Sequence, residues 1–221
     1  RFFASYTPPL YAYVSVLPIY LFGLSEYSTR FISALSGLFS AVLLYFMMQE
    51  LGVLTTRHYK LLGVLLFVTC PWVVFYSRIG YEVYFAFLLF ATGAYFSLKA
   101  LRKPQHLILA SVFLALSAYS SHTQKYLLVI WVPLYFIVFY KELLKKAVRK
   151  TMIISLLTGV VILSPYFTIL NSAALQSKNS LFYTSAIVAR SATIPAPSVI
   201  ALPIAASYEV LAHYVTYLSP K

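Results

Sequence analysis

Blocks of roughly twenty apolar residues, parted by short joints that carry most of the charge, constrain this chain more than any other feature. A bilayer core ~30 Å thick takes about 20 apolar residues per helix to cross. Six blocks fit such spans, at about 31–50, 58–77, 82–101, 106–120, 124–140 and 151–170. The block 106–120 is short for a crossing and needs local adjustment of the bilayer. A soluble domain has about a quarter of its residues charged, whereas this one is 10% charged and 61% hydrophobic. So few charges cannot cover a water-soluble surface, and the reading is an all-α, polytopic transmembrane helix bundle with about six spanning helices.

The joints have local signals of their own. Ser28-Thr29 stand ahead of the first span as N-cap residues, and Glu50-Leu51-Gly52 ends it with glycine as the C-cap. Pro71 lies inside the second span and predicts a kink there. Cys70 is the single cysteine, sits in an apolar block and reads as a small core residue.

The net charge of +12 has a membrane explanation rather than a nucleic-acid one. One set of joints holds Arg57, Lys60, Lys99, Arg102, Lys103, Lys141, Lys145, Lys146, Arg149 and Lys150, and the alternate set holds Arg30, Arg78 and Lys125. Ten against three is a positive-inside bias, which orients the joints near 25–30, 78–82 and 120–125 outward, with the chain after about 171 on the same side. His58 and His106 then fall on the cytoplasmic side as interfacial residues.

Two stretches resist assignment. Residues 8–24 (PPLYAYVSVLPIYLFGL) have the composition of a span, but they are short, start with Pro8-Pro9 and are broken by Pro18. A crossing helix and a tyrosine-rich helix lying on the outer interface stand level on the residues alone. Residues 172–221, with Pro195, Pro197 and Pro203, read as an extracytoplasmic loop with short amphipathic helices, and Ser207 to Leu218 as the start of a further membrane helix. With Arg1 in place of Met at the start, and the stop at Pro220-Lys221 after an aromatic run, the chain reads as a piece cut from a longer protein.

Chemistry has few places to sit. Aspartate is absent, and the five acids are Glu26, Glu50, Glu82, Glu142 and Glu209. Glu50 and Glu142 flank spans as partners for nearby lysines, and Glu26 pairs with Arg30 across one helical turn. Glu82 follows Arg78 in YSRIGYEVY, four residues on, so both share a face if the turn is helical. Either they form a salt bridge that pins the loop, or Arg78 binds an anionic group while Glu82 acts on a substrate. The next outer joint, SAYSSHTQKYL, adds His122, Gln124 and Lys125. Lys125 either snorkels to the headgroups or joins Arg78 and His122 in a patch that suits a phosphate at the lipid surface. Gly-rich phosphate loops, HExxH and paired-cysteine metal patterns are missing from the sequence.

The order of segments carries a resemblance over about residues 6–140. The run PPLYAYVSVLPIYLFGLSEYSTRFISALSGLFSAVLLYFMMQELG, then PWVVFYSRIGYEVYFAFLLFATGAYFSLKAL, then SAYSSHTQKYLLVIWVPLYF resembles polyprenyl-phosphate-sugar-dependent glycosyltransferases of the GT-C superfamily. The nearest likeness is to the protein O-mannosyltransferase, aminoarabinose-transferase and Rgt-type branch. The resemblance implies transfer of a sugar from a polyprenyl-phosphate sugar donor to a lipid, glycan or protein acceptor, at the outer face of a bacterial or archaeal plasma membrane. It implies membrane lipids as partners and no nucleic acid. It places residues 8–24 on the outer surface as an interfacial helix. It sets Glu82 at an acidic position of the second outer loop, in a supporting catalytic role, with Arg78 at the basic position before it. It sets Lys125 near a basic position after the fifth block, so that Arg78, Tyr81, His122 and Lys125 form the substrate-binding set. Tyr6-Thr7 stand where relatives often carry a charge before the proline pair. The principal catalytic acid of the family lies upstream of that pair, in a first outer loop after a first helix. Both are expected before residue 1. Residues 1–171 are then the N-terminal part of a GT-C-like membrane domain without them, inactive alone, and 172–221 a truncated outer loop. Inverting transfer needs a carboxylate to take the acceptor's proton and positive groups, or a divalent metal, to stabilise the leaving phosphate.

Two other function classes compete with the transferase. One is a transporter or flippase for a lipid-linked or small anionic solute, which the nearly charge-free span interiors count against. The other is a non-catalytic membrane subunit. A lipid-linked oligosaccharide ligase would carry a large arginine-rich outer loop, and the stretch after 171 has only Lys178, Arg190 and Lys221.

Overall fold

The computed structural model describes residues 9–52, 56–170, 191–193, 204–205 and 208, and these are helical with short joints. The helices are α1 (Leu10–Phe22), α2 (Glu26–Leu51), α3 (Arg57–Thr69), α4 (Pro71–Arg78), α5 (Glu82–Ala100), α6 (His106–Ala118), α7 (His122–Val138), the single turn α8 (Tyr140–Leu143) and α9 (Lys146–Leu170). The chain divides into two compact units, Thr7–Pro165 and a second made of Arg1–Tyr6 with Tyr166–Lys221. The stretch expected to form short helices and a further span, 172–221, lies almost wholly outside the described residues.

Within Thr7–Pro165, most of the buried positions of α2 and α5 are small residues, and many large apolar ones face outward. On α2 the buried side is Ser28, Ile32, Ser33, Ser36, Gly37, Ser40 and Ala41, while Phe31, Leu38, Phe39, Val42 and Phe46 are exposed. On α5 the buried side includes Ala86, Gly93, Ala94, Ser97 and Ala100. A water-soluble core would reverse this arrangement. Lipid is as apolar as leucine, so helices gain by close backbone approach, which small residues permit. Three of the buried serines cost little, because their hydroxyls return to a carbonyl of their own helix, Ser36 to Ile32 at 2.7 Å, Ser40 to Ser36 at 2.6 Å and Ser97 to Gly93 at 2.9 Å. α5 packs against α2, α6, α7 and α1 and so sits at the middle of the bundle.

Three helices are long and apolar enough to cross a membrane, Glu26–Leu51, Glu82–Ala100 and Val148–Pro165. The bent pair α3–α4 makes a fourth if it is one span. The expected count of about six is therefore not reached by length, because α6 and Thr123–Val138 fall short of a straight crossing. The kink expected at Pro71 is a full break of 58°. Cys70 is extended (φ −60°, ψ 126°), the conformation proline imposes on the residue before it, and Pro71 restarts the helix at its first position. Cys70 is consequently a partly exposed joint residue, not a core one.

Other expectations are corrected by local chemistry. α2 starts earlier than Ser28: Ser25 is the N-cap, and Ser28 closes the capping box from the third helical position. The helix ends at Gly52 as expected, in the left-handed region at φ 65°. Pro18 does not break α1, which runs through it with the proline buried. Glu26 pairs with Arg30 at 3.4 Å, as the spacing predicts. Glu50 pairs with Arg102 of the α5–α6 joint at 3.3 Å, an arginine instead of the expected lysine.

The placement of α1 follows from three hydrogen bonds. The Tyr11 hydroxyl donates to the Thr29 carbonyl at 3.3 Å and shares a 2.9 Å hydrogen bond with Ser33 Oγ. At the other end of α1, Ser28 Oγ donates to the Gly23 carbonyl at 2.7 Å. Both ends of a helix about 20 Å long thus meet the same two turns of α2, so α1 lies across the end of the bundle instead of along it. Its outer side shows Tyr13, Val16, Leu17, Tyr20, Leu21 and Phe22, the aromatic–aliphatic mixture that suits a headgroup interface. This α1 end is opposite the basic end, where α3, α6 and α9 begin beside the ten clustered cations.

Candidate functional site

The first turn of α1 gathers the two joints that hold the sequence-predicted residues. The Leu10 amide donates to the Tyr119 carbonyl at 3.3 Å, which fixes the α6–α7 joint. Tyr11 reaches Ser33, and Ser33 Oγ donates to the Tyr81 carbonyl at 3.4 Å, which fixes the α4–α5 joint. Tyr11 also packs on Phe85, with ring centroids 6.2 Å apart. Gly80 makes the approach possible, since a Cβ there would lie 3.1 Å from the Thr29 carbonyl oxygen.

Each predicted residue then has a definite place. Arg78 is the last residue of α4 and exposed, and Glu82 is the first of α5 and partly buried. The expectation that they share a helical face fails, because Ile79 and Tyr81 between them are extended. Among the described residues no ion pair joins them. Each charge instead complements the dipole of its own helix, a cation at a C-terminus and an anion at an N-terminus. Tyr81 stacks on Tyr76 at 6.4 Å, and Tyr76 on Trp72 at 6.2 Å, giving an aromatic ladder beside the joint. Desolvation, then Glu82 and Tyr76, push the Tyr81 hydroxyl above its ordinary value, so it stays neutral and able to donate.

His122 opens α7, and Lys125 lies one turn in, partly buried. Gln124, between them, is 3% exposed, and Ser120, just before them, is fully buried. Gln124 Oε1 and Ser120 Oγ have no hydrogen-bond partner among the described residues, so this joint holds buried polar capacity in reserve. No three His, Cys, Asp or Glu side chains among the described residues gather as a metal site.

Sequence reasoning missed Tyr11 and Ser33, which tie the two joints together. Tyr11 is one of 20 tyrosines and had no distinguishing neighbour. Gly80, set between Arg78 and Glu82, was the available sign that another backbone approaches there.

Residues 6–170 match the family described as dolichyl-phosphate-mannose-protein mannosyltransferase. That match covers about three quarters of the chain. The chain belongs to this family. No curated protein and no solved structure matches it. Membership in the mannosyltransferase family makes the chain part of an integral membrane glycosyltransferase, of GT-C type, and the apolar helices fit that setting. The matched region takes in α1 through α9, and with them both joints that α1 ties together.

Proposed function

We propose that this protein moves a sugar from a polyprenyl-phosphate donor to an acceptor at the extracytoplasmic face, with the reacting groups at the α1 end. The observation that carries the reading is the meeting of the 78–82 and 119–125 joints at the first turn of α1. These joints hold Arg78 and Lys125, two of the three basic residues of the set that stands apart from the basic end, and a leaving phosphate needs such residues. The positive-inside bias supports an outward-facing α1 end.

In this reading the acceptor oxygen attacks the anomeric carbon, the bond from that carbon to the phosphate oxygen breaks, and polyprenyl phosphate leaves. The acceptor's proton passes to a carboxylate. Arg78, His122 and Lys125 hold the phosphate, Tyr81 offers a neutral hydroxyl to the sugar or phosphate, and Glu82 orients the acceptor in a supporting role. Each of these roles belongs to the proposal.

The test is sugar transfer by the full-length protein in liposomes from a panel of polyprenyl-phosphate sugars. Arg78→Ala and Lys125→Ala should each reduce transfer about 10- to 100-fold, the range for losing one charged stabiliser of a developing anion. Glu82→Gln should reduce it less. Unchanged transfer in both cation variants would refute the phosphate patch, and no transfer from any polyprenyl-phosphate sugar would refute the donor.

A further inference from the structure

An apolar crevice of about 290 Å³ runs between α6, α7 and α9, closed at the basic end by Leu143 of α8. It is near the lower end of the ~300–1,000 Å³ range of small-molecule sites. Two hydrogen bonds hold α9 to α6 beside it, Ser155 Oγ to the Leu107 carbonyl at 2.8 Å and the Tyr119 hydroxyl to the Ile162 carbonyl at 2.7 Å. The crevice mouth faces the lipid between Val132 and Phe136 on α7 and Leu156 and Val160 on α9, all exposed.

The lining is suited to hydrocarbon. Its hydroxyls are spent inside the protein, since Ser97 bonds Gly93, Ser111 bonds Ile108, Ser155 bonds Leu107, and Tyr135 donates to the Ser97 carbonyl at 2.6 Å. Trp131 Nε1 is the one polar atom of the lining residues that is buried without a hydrogen-bond partner among the described residues.

The basic end of the crevice supplies the rest of the argument. α8 and the start of α9 bring Lys141, Lys145, Lys146, Arg149 and Lys150 within ten residues, against the single acid Glu142. Arg149 precedes the lining residue Met152 by three positions and so lies on the same face of α9, one turn toward the membrane surface. Lys145 follows the lining residue Leu143 by two and is exposed. Among the described residues the one acid–base pair at this end is Arg102 with Glu50, so neither Lys145 nor Arg149 is in an ion pair.

We propose that the crevice seats one acyl chain of an anionic membrane glycerophospholipid, whose phosphate lies against Lys145 and Arg149. Basic pockets between membrane helices on the cytoplasmic side recognise anionic headgroups by this combination of charge and groove. The site is separate from the α1 end and does not depend on the sugar-transfer reading.

Trp131 lines the crevice and makes the test direct. The other tryptophan of these 221 residues, Trp72, is exposed on α4 and is replaced by phenylalanine, as is any tryptophan of the full-length protein outside them, leaving Trp131 as the sole emitter. The full-length protein is placed in vesicles containing phosphatidylglycerol or phosphatidylcholine with brominated acyl chains, which quench tryptophan on contact. Phosphatidylglycerol should associate at Trp131 at least about tenfold more strongly than phosphatidylcholine, given two cations near an anionic headgroup. Lys145→Gln with Arg149→Gln should erase the preference, while the charge-matched pair Arg57→Gln with Lys60→Gln on α3 leaves it intact. Gly159→Leu should fill the crevice and remove quenching by both lipids; if that variant does not fold, the two charge pairs decide alone. Equal quenching by the two lipids, or no quenching at all, overturns the proposal. So does equal loss in both charge pairs, which marks diffuse attraction to a basic surface. Displacement of phosphatidylglycerol by polyprenyl phosphate also overturns it, and assigns the crevice to the sugar donor's tail.

Discussion

Gly93 is where a single methyl group should do the most damage to the bundle. A Cβ at this position would sit 2.6 Å from Leu114 Cγ, 2.9 Å from its Cδ2 and 3.0 Å from its backbone nitrogen. Ordinary carbon–carbon contact is about 3.5–4.0 Å, so roughly 1 Å must be found. Leu114 cannot supply it by changing rotamer alone, because its backbone nitrogen is also too close and belongs to α6. The helices α5 and α6, the most extensively packed pair, must move apart. Overpacking of this kind costs about 1–3 kcal/mol, and alanine's better helix propensity returns at most ~1 kcal/mol. Gly93→Ala should therefore lose about 1–2 kcal/mol. Gly159→Ala is the control, since its Cβ meets only Ser111 Cβ at an ordinary 3.8 Å and should be neutral or mildly stabilising. Equilibrium unfolding in mixed micelles measures both. Gly93→Ala at wild-type stability or above, with Gly159→Ala equal to it, would refute the close α5–α6 approach and with it the packing logic of the bundle.

Three further outcomes follow from single contacts. Tyr135→Phe removes the buried 2.6 Å donation to the Ser97 carbonyl and should cost about 0.5–1.5 kcal/mol in the same unfolding assay, with no change in sugar transfer. Ser25→Ala removes the N-cap and its capping box at α2 and should cost about 1 kcal/mol, whereas Ser25→Asp should retain most of that stability. Tyr11→Phe removes both hydroxyl contacts of the first turn of α1 while keeping the ring on Phe85. It should lower sugar transfer more than stability, read as a fall in kcat with an unaltered melting temperature, because it loosens the tie between the two joints.

The spans were legible because one physical demand dominates them. A helix in lipid must be long and apolar, and the blocks at 31–50, 82–101 and 151–170 correspond to α2, α5 and α9 within a few residues of their ends. Gly52 and Pro71 were legible for a similar reason, since each acts on the backbone at its own position. The N-cap at Ser25 was misplaced because Ser25, Ser28 and Thr29 are all competent caps. The choice among them is made by Gly23, whose carbonyl takes the Ser28 hydroxyl. The arrangement of charges at 78–82 could not be decided by spacing alone, and the helical turn it depended on is not formed. Four residues put two side chains on one face only when the backbone between them is helical, and Gly80 gives way to the Thr29 carbonyl there.

The candidate site was half legible, and the missing half has a physical cause. Charged residues stand out in an apolar chain, so Arg78, Glu82, His122 and Lys125 could be named without coordinates. Nothing in them says that their joints meet. That depends on Tyr11, Ser33 and backbone groups of Leu10, Tyr81 and Tyr119, none of them rare in composition. One signal did point to these contacts. In a membrane bundle the inside is marked by small residues, and α2 carries Ser33, Ser36, Gly37, Ser40 and Ala41 at helical spacing. Read with the soluble-protein rule, that stripe would be the exposed face. Read with the lipid rule, it is the face that must receive neighbours. Ser33 is its last member toward the α1 end, where the stripe passes from helix packing to the contact that ties the two joints together.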